Sequence, residues 1–383
     1  MVRCSYDVIV AGLGATGSSA LYHVAARGKR VLGLERHGIP NDRSSYHGYT
    51  RIIRLAYYES PVYVPLLRRA YENWRELERV SGRSLLFITG SIDAGPETGW
   101  VFAGSLRSCQ EHHLEYEVLM PKELHRRFPA YQLSDGMWAL YQPQGGFLAA
   151  EHCVVAYVES ALTRGAEVHG CEALLEWAVL SSGVRVRTDR GVYEAECLIL
   201  TTGPWIADSL EVIRPFVSPE RQVLVWFQPL QPRLFLPDCF PVFNMETAEG
   251  RFYGLPIYQV PGFKVGKYHH LGESGHPDAL ERTTSIADEV PIRAFVEQYF
   301  PEGAGPVVNR KVCIFTNTPD GHFIIQRHPK YEQVVFASPC SGHGFKFASV
   351  LGEMLADLVT GGDLRRWPLD FFNLQRFAGG VTS

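Results

Sequence analysis

A glycine-rich turn near the start of the chain constrains the fold more than any other feature. It reads Gly12-Leu13-Gly14-Ala15-Thr16-Gly17 and lies between a short apolar strand, residues 7–11, and a helix predicted over residues 18–27. A second apolar strand, residues 29–34, follows the helix and is closed by Glu35. This order of strand, GxGxxG turn, helix, strand and acid is that of a dinucleotide-binding βαβ unit.

Each residue type in the turn has a physical role. Gly12 permits the tight turn, Gly14 lets a pyrophosphate approach the backbone, and Gly17 lets the helix pack closely on the strand. Ala15 and Thr16 lie where the helix N-terminus offers unpaired N–H groups and the positive end of its dipole to phosphates. The turn therefore predicts a phosphate cradle.

The acidic residue after the second strand helps to choose the cofactor. Glu35 can accept hydrogen bonds from two ribose hydroxyls, and its charge would repel a 2′-phosphate. This favours FAD or NAD over NADP. A glycine-rich turn by itself also fits an ordinary strand-to-helix connection, but here every element stands at the expected spacing.

Size and composition exclude several classes of protein. A chain of 383 residues suits two domains or one large one. Its charged fraction of 20% and net charge of −4 include no basic stripe, which argues against nucleic-acid partners. No apolar run approaches ~18 residues, so no membrane-spanning helix is expected. The eight cysteines form no CxxC pair, no secretory segment is recognisable, and no metal site is predicted, so a cytoplasmic protein with reduced thiols is expected.

The order of predicted elements divides the chain into two kinds of structure. Strand, glycine-containing turn and helix recur around Gly203 and around residues 334–358, whereas residues 222–316 are rich in aromatic strand-like segments. We predict an α/β plus α+β protein with a discontinuous Rossmann-like FAD-binding domain and an antiparallel-sheet substrate domain. The FAD-binding domain is expected over 1–85, 145–215 and 320–375, the substrate domain over 86–144 and 216–319, and a C-terminal tail over 376–383.

A polar loop after the second strand contains two arginines. Arg51 and Arg54 are three residues apart, so a helical turn would place them on one side. They are either solvated side chains or an anion site for a cofactor phosphate or a substrate carboxylate.

Several motifs occur in order along the chain and carry a resemblance to a known family. They are the GLGATG turn with Glu35, residues 47–54 (HGYTRIIR), residues 262–266 (GFKVG), residues 313–320 (CIFTNTPD) and residues 341–347 (SGHGFKF). Together they resemble the monomeric sarcosine oxidase and N-methyltryptophan oxidase family of FAD-dependent amine oxidases, over nearly the whole chain. The resemblance implies oxidation of a secondary or N-methyl amino acid to an imine by hydride transfer to flavin. It also implies reduction of O2 to H2O2, hydrolysis of the imine to an aldehyde, and a monomer with a small amino-acid amine as its partner.

The resemblance implies roles for the matched positions. Cys313 would be bonded covalently to the flavin, Lys264 would activate oxygen, and Arg51 would lie near the flavin as a catalytic residue. Arg54 and Lys346 would hold the substrate carboxylate. The substrate cavity would include Tyr253 and His343. The complete set of expected cofactor-binding residues is Gly12, Gly14, Ala15, Thr16, Gly17, Glu35, Arg36, Ser44, Arg51, Gly203, Cys313, Gly342, Gly344, Phe345 and Lys346.

The sequence departs from the family on the substrate side. Asn244 stands where the family has a methionine, and Phe315 stands where it has a tyrosine. The active-site histidine expected four residues after the oxygen-activating lysine is replaced by Tyr268, with His269 and His270 next; we take His269 as its catalytic match. These changes leave sarcosine, N-methyltryptophan, proline-like cyclic amines and larger amines open as substrates.

Three alternative functions stay open. The first is a flavin amine dehydrogenase with an acceptor other than oxygen, which Lys264 disfavours. The second is a non-catalytic flavin-binding subunit of an amine-oxidising complex, which retention of Arg54 and Lys346 disfavours. The third is a nicotinamide dehydrogenase, which leaves Cys313 and the SGHGFKF motif unexplained.

Overall fold

The architecture was analysed in a computed structural model, which describes residues 6–378. In these residues the strands are β1 (Tyr6–Ala11), β2 (Val31–Leu34), β3 (Thr50–Ile53), β4 (Leu86–Ile88), β5 (Ser91–Pro96), β6 (Glu117–Leu119), β7 (Met137–Gln142), β8 (Gly146–Ala149), β9 (Glu167–His169), β10 (Leu174–Leu180), β11 (Gly183–Thr188), β12 (Val192–Leu200), β13 (Ser218–Phe227), β14 (Val242–Thr247), β15 (Gly250–Leu255), β16 (Phe263–Lys267), β17 (Val307–Asn317), β18 (Ile324–Arg327) and β19 (Val334–Ser338). The α-helices are α1 (Ala15–Ala25), α2 (Val64–Ser81), α3 (Trp100–Glu111), α4 (Pro121–Arg127), α5 (Ala150–Leu162), α6 (Ile206–Ser209), α7 (Ile286–Tyr299), α8 (Ala348–Thr360) and α9 (Leu369–Phe372).

The first sheet is built around β1. This strand pairs in parallel with β2 on one side and β12 on the other, and β12 pairs in parallel with β19. The last four residues of β1 and all four of β2 are buried, because α1, α5 and α8 pack on one face of the sheet and Ile206, Leu210 and Ile213 pack on the other. Continuous apolar runs are typical of parallel strands covered on both faces. The predicted Rossmann-like unit is therefore confirmed.

The first helix begins earlier than predicted. α1 begins at Ala15, inside the GxGxxG turn, because Gly14 takes an extended conformation and caps the helix. A Cβ atom on Gly17 would overlap the carbonyl group of Gly12. The third glycine thus allows the close contact between helix and turn for which it was singled out.

The second sheet has eight strands in the order β17, β13, β16, β15, β14, β5, β7, β6. All neighbours are antiparallel except β5 and β14, which run parallel. Helix α7 packs on this sheet and begins at a capping box formed by Ser285 and Asp288. The aromatic-rich region therefore forms the antiparallel sheet that was predicted, while the domain boundaries stay a prediction.

The segment that carries the two arginines is a strand rather than a helical turn. β3 pairs with β8, and β8 pairs with β4, in a small third sheet. Side chains three residues apart along extended chain point in different directions. The helical turn considered for Arg51 and Arg54 is therefore not formed, although both side chains line the same cavity with different partners, as described below.

Two absences bear on function. Among residues 6–378, none of the helices combines the length and apolar character that crossing a lipid bilayer requires. Within the same residues no three or more His, Cys, Asp or Glu side chains are grouped so that they could hold a metal ion.

Candidate cofactor and substrate site

A long cavity runs between the two large sheets. One end lies at Glu35, where β2 finishes, and the other lies at Lys346, in the 3₁₀ turn that precedes α8. The expected cofactor-binding residues that line it are Gly12, Gly14, Ala15, Thr16, Glu35, Arg36, Ser44, Arg51, Gly203, Cys313, Gly342, Gly344, Phe345 and Lys346. Gly17 lies beneath this wall, where it supports the turn.

The Glu35 end fits a ribose. The carboxylate is buried and accepts hydrogen bonds from the backbone N–H groups of Leu13 at 2.8 Å and His37 at 2.9 Å. Burial raises the pKa of Glu35, and the two N–H groups oppose that shift. Each oxygen keeps a lone pair for a ribose hydroxyl. Arg36, beside it, is half exposed and pairs with Asp278 at 3.3 Å.

The middle of the cavity fits a pyrophosphate. No side chain caps the N-terminus of α1, so its first-turn N–H groups are available to an anion. A Cβ atom on Gly14 would stand in the cavity, with only the ring of Tyr46 within 4 Å, at 3.8 Å. The Ser45 hydroxyl also lines the cavity and is buried without a partner among the described residues. These features together accept a dinucleotide such as FAD.

Cys313 lies where the cavity passes the second sheet. Its thiol is buried on β17, with Sγ 3.2 Å from the carbonyl oxygen of Ser45. The Nη2 atom of Arg51 lies 3.5 Å from the same sulfur and donates to the carbonyl oxygens of Ser45 and His47 at 2.9 and 2.6 Å. Arg51 therefore fixes the loop that faces Cys313 and places a positive charge beside the sulfur.

Lys264 is held behind the cavity wall. Its fully buried ammonium donates to the carbonyl oxygens of Gly48 and Thr50 at 3.1 and 2.5 Å, and to the Thr50 hydroxyl at 2.6 Å. Burial lowers the pKa of Lys264 well below its ordinary value, and the positive charge of Arg51 adds to the shift. Thr50 itself lines the cavity, so the charge of Lys264 acts directly behind that surface.

Arg54 is the centre of a buried charge cluster. Its Nη2 atom donates to Glu59 at 2.9 Å, and its Nε atom lies 3.7 Å from Asp93. The guanidinium carbon lies over the rings of both Tyr57 and Tyr58, at 4.5 and 4.2 Å from their centres. Burial alone would raise the pKa of Glu59, but Arg54 lowers it to about 2. A buried cation that contacts two carboxylates and two aromatic rings is rigidly positioned.

Lys346 is the second buried cation at this end. Its ammonium donates to the carbonyl oxygen of His343 at 2.8 Å and lies 5.4 Å from the ring centre of Tyr57. Burial, together with the charge of Arg54, lowers the pKa of Lys346 to about 7, against the opposing effects of Glu59 and Asp93. The charge of Lys346 is therefore available to an anion that neutralises it.

His343 lines the cavity but has no free nitrogen. Its Nε2 atom is 2.9 Å from the carbonyl oxygen of Gly321, which can only accept, so Nε2 carries the proton. Its Nδ1 atom then accepts from the Tyr57 hydroxyl at 2.5 Å. Burial lowers the pKa of His343 to about 3. The ring is neutral and serves as part of the wall rather than as a base.

The remaining wall of this end is aromatic and polar. Tyr253 contacts Tyr268 edge to face at 5.0 Å, and Phe315 lies 5.9 Å from Tyr268. The guanidinium of Arg251 stacks on Tyr268 at 3.7 Å and holds the ring in place. Asn244 completes the wall. The side chains that line the cavity are Asn244, Tyr253, Tyr268 and Phe315, whereas Arg251 lies behind them.

The catalytic role expected for His269 is not supported by its position. Its side chain is 59% exposed and pairs through Nδ1 with Glu220 at 2.8 Å, away from the cavity. Tyr268 takes the cavity position instead. The reason is that β16 ends at Lys267 and His269 lies in the turn that follows, with a positive φ of 55°, so its side chain does not continue the alternation of the strand.

Sequence reasoning missed several residues of this site. Tyr268 could have been chosen over His269, because it stands four residues after Lys264, at the position where the histidine was expected. Asp93 carried a signal too, since it interrupts an otherwise apolar strand, β5, where a charge needs a partner. Glu59 and Arg251 gave no signal, because only the folded chain brings them to Arg54 and Tyr268.

The fold and the cavity define a class: a two-sheet, FAD-binding oxidoreductase. The family model for FAD dependent oxidoreductases matches residues 7–358. The chain is 39% identical to the monomeric sarcosine oxidase of Streptomyces avermitilis, over 98% of each chain. It is 33% identical to the N-methyl-L-tryptophan oxidase of Yersinia pestis, over 97% of this chain and 99% of that one.

Solved structures agree with this assignment of the fold. One of them is NikD, described as an unusual amino acid oxidase essential for nikkomycin biosynthesis. The match covers 95% of this chain and 97% of the NikD chain, with a TM-score of 0.79 and 25% sequence identity. The chain belongs to the FAD dependent oxidoreductase family, within the group that contains monomeric sarcosine oxidase and N-methyl-L-tryptophan oxidase. The resemblance seen in the sequence is thereby confirmed.

Proposed function

We propose that this protein is an oxidase of secondary or N-methyl amino acids, with FAD attached through Cys313 and O2 as electron acceptor. The observation that carries the proposal is the placement of two buried cations, Arg54 and Lys346, in the same cavity as Cys313. Sarcosine and N-methyltryptophan, the compounds named in the relatives above, both combine a carboxylate with a secondary amine. The relative from Streptomyces avermitilis is named a monomeric sarcosine oxidase, which supports a monomer for this protein as well.

The cations define how a substrate would be held. Buried positive charges bind an anion strongly, because little water competes for them. Arg54 presents a planar donor surface held in place by Tyr57 and Tyr58, and Lys346 provides a point charge. With its carboxylate on these groups, the amine and its N-alkyl carbon extend along the cavity towards Cys313.

The proton balance follows from the neutral wall. His343 uses both ring nitrogens in protein hydrogen bonds and is not a base. The substrate amine therefore reacts in its neutral form, which burial in the cavity favours because desolvation disfavours a charged amine. When bound, FAD supplies the two-electron oxidation of the C–N bond and passes the electrons to O2. Water then cleaves the imine to a primary amine and an aldehyde, and H2O2 balances the oxygen consumed.

Lys346 makes carboxylate binding dependent on pH. An amine-free carboxylate such as propanoate should bind with a Kd that rises by about tenfold per pH unit above pH 7, because the bound anion requires the protonated lysine, which the free protein loses above that pH. Isothermal titration calorimetry from pH 6 to 9 measures this. Lys346→Gln should bind more weakly and without the slope. Glu59 and His343 do not titrate between pH 6 and 9, because their pKa values are about 2 and about 3. Burial raises the pKa of Asp93, so Asp93→Asn tests whether this carboxyl contributes to the slope. A flat native profile would remove Lys346 from the carboxylate site.

The decisive experiment is a visible spectrum of the purified, FAD-loaded protein before and after acid precipitation, followed by anaerobic addition of sarcosine and N-methyltryptophan. Yellow colour that stays in the pellet, and that Cys313→Ser releases, supports the covalent link. Bleaching by either amine, followed by oxygen uptake equal to the aldehyde formed, supports the oxidase.

The outcomes separate the alternatives. Bleaching without oxygen uptake would indicate a dehydrogenase with another acceptor. No bleaching by any secondary amino acid would favour a non-catalytic flavin subunit. Colour that dissociates in acid would overturn the covalent attachment and leave the reaction class intact.

A further inference from the structure

Three polar side chains form a row across the second sheet at the substrate end of the cavity. Asn244 on β14 is directly opposite Asp93 on β5 and, on its other side, directly opposite Tyr253 on β15. Residues paired in this way share one face of a sheet. Asn244 and Tyr253 line the cavity, whereas Asp93 is fully buried beside Asn244.

Asp93 fixes the orientation of the Asn244 amide. Its Oδ1 atom accepts from Asn244 Nδ2 at 2.9 Å and faces Arg54 Nε at 3.7 Å, while its Oδ2 atom accepts from Ser105 at 2.7 Å. With donors directed at it from two sides, Oδ1 acts as an acceptor. The NH2 group of Asn244 must therefore turn towards Asp93, which leaves the amide oxygen as the other end of the side chain.

The amide oxygen of Asn244 is only weakly used within the protein. Among the described residues its partner is the Tyr268 hydroxyl at 3.4 Å, a long hydrogen bond. A buried acceptor that is poorly satisfied favours a ligand that brings a donor, and disfavours one that covers it with a methyl group.

The location of the acceptor identifies which part of a substrate it meets. Asp93 contacts both Asn244 and Arg54, so the amide lies next to the guanidinium that would hold the carboxylate. The α-carbon next to the carboxylate carries both the amine and the side chain, and the proposed function directs the amine towards Cys313, which leaves the side chain to meet the amide. We propose that Asn244, positioned by Asp93, selects amino-acid amines whose side chain donates a hydrogen bond. This inference rests on the proposed function and narrows its substrate class.

An isosteric pair of substrates tests the selectivity. N-methylserine and 2-(methylamino)butanoate differ by a hydroxyl in place of a methyl group. The native protein should prefer the hydroxyl compound by about 10–100-fold in kcat/KM, the range expected when a buried acceptor is satisfied or left unpaired. Asn244→Met should abolish or reverse the preference.

A binding experiment keeps the test independent of turnover. The Kd values of 3-hydroxypropanoate and butanoate, which carry no amine, should show the same preference by calorimetry in the FAD-loaded native protein, and lose it in Asn244→Met. Asp93→Asn should reduce the preference, because its amide can also donate and no longer holds Asn244 in one orientation. Ser105→Ala is the matched control, since it contacts the other oxygen of Asp93 and should leave the preference unchanged.

The results distinguish the two proposals. Equal Kd values for the two carboxylates in the native protein, or an unchanged preference in Asn244→Met, would overturn the selectivity. A native protein that prefers 3-hydroxypropanoate and oxidises no amine would support the selectivity while overturning the proposed reaction. If Asp93→Asn does not fold, the Asn244→Met comparison alone decides.

Discussion

Replacing Lys264 by methionine is expected to slow reoxidation of the reduced enzyme by O2 by about 10²–10³-fold, the loss typical when a preorganised charge is removed from a buried site. The ammonium is fully buried and its charge lies directly behind Thr50, on the cavity wall. Reduction by the amine under anaerobic conditions should change far less, because the proposed carboxylate site, Arg54 and Lys346, is left intact. Stopped-flow absorbance measures the two half-reactions separately.

The variant should fold, because the oxygens that lose Lys264 keep other donors. The carbonyl oxygen of Gly48 also accepts from the Thr50 N–H group at 2.9 Å, and that of Thr50 accepts from Arg51 at 2.8 Å. Lys267→Met, three residues along β16, is the matched control and should leave both rates unchanged. Native-like reoxidation in Lys264→Met would assign oxygen activation to another group.

The protonation of Lys264 gives the same proposal a second readout. Burial lowers the pKa of this lysine well below its ordinary value, so its charge is lost as pH rises through that lowered pKa. Reoxidation should therefore slow on the alkaline side at a pH well below 10.5, the ordinary value of a lysine. In Lys264→Met this alkaline decline should be absent.

Much of the fold could be predicted because its signals are local. The turn from Gly12 to Gly17, the continuous apolar β1 and the helical repeat of α8 each specify their own conformation. The helical turn considered for Arg51 and Arg54 is not formed, because spacing alone cannot tell a helical turn from a strand. Pairing of β3 with β8, almost 100 residues away, decides that question.

The candidate site was predictable only in part. Motif residues such as Lys264, Cys313 and Lys346 were identified because their neighbours in sequence resemble a family. Glu59 and Asp93 have no such neighbours, and their proximity to Arg54 results from packing between a loop and β5. Electrostatic partners of this kind depend on tertiary distances, which no local pattern encodes.

Arg54→Met is expected to have the second large effect, on stability and on binding together. Removing the guanidinium leaves Glu59 and Asp93 as buried charges without their cation, which typically costs about 3–5 kcal/mol. The free energy of unfolding from urea titration should fall by that amount. The affinity for propanoate should fall by about 10²-fold, since a buried cation that pairs with a ligand charge contributes several kcal/mol. Calorimetry measures this second loss.

A double variant separates the structural role of Arg54 from its binding role. In Arg54→Met combined with Glu59→Gln, the more closely paired of the two carboxylates is neutral, so most of the lost stability should return. The affinity for propanoate should stay low, because no guanidinium is left to receive it. If affinity returned together with stability, Arg54 would be a structural cation of the cluster, and Lys346 alone would bind the substrate carboxylate. If neither returned, Asp93 rather than Glu59 would be the carboxylate that depends on Arg54, a result that Arg54→Met with Asp93→Asn would then confirm by restoring stability.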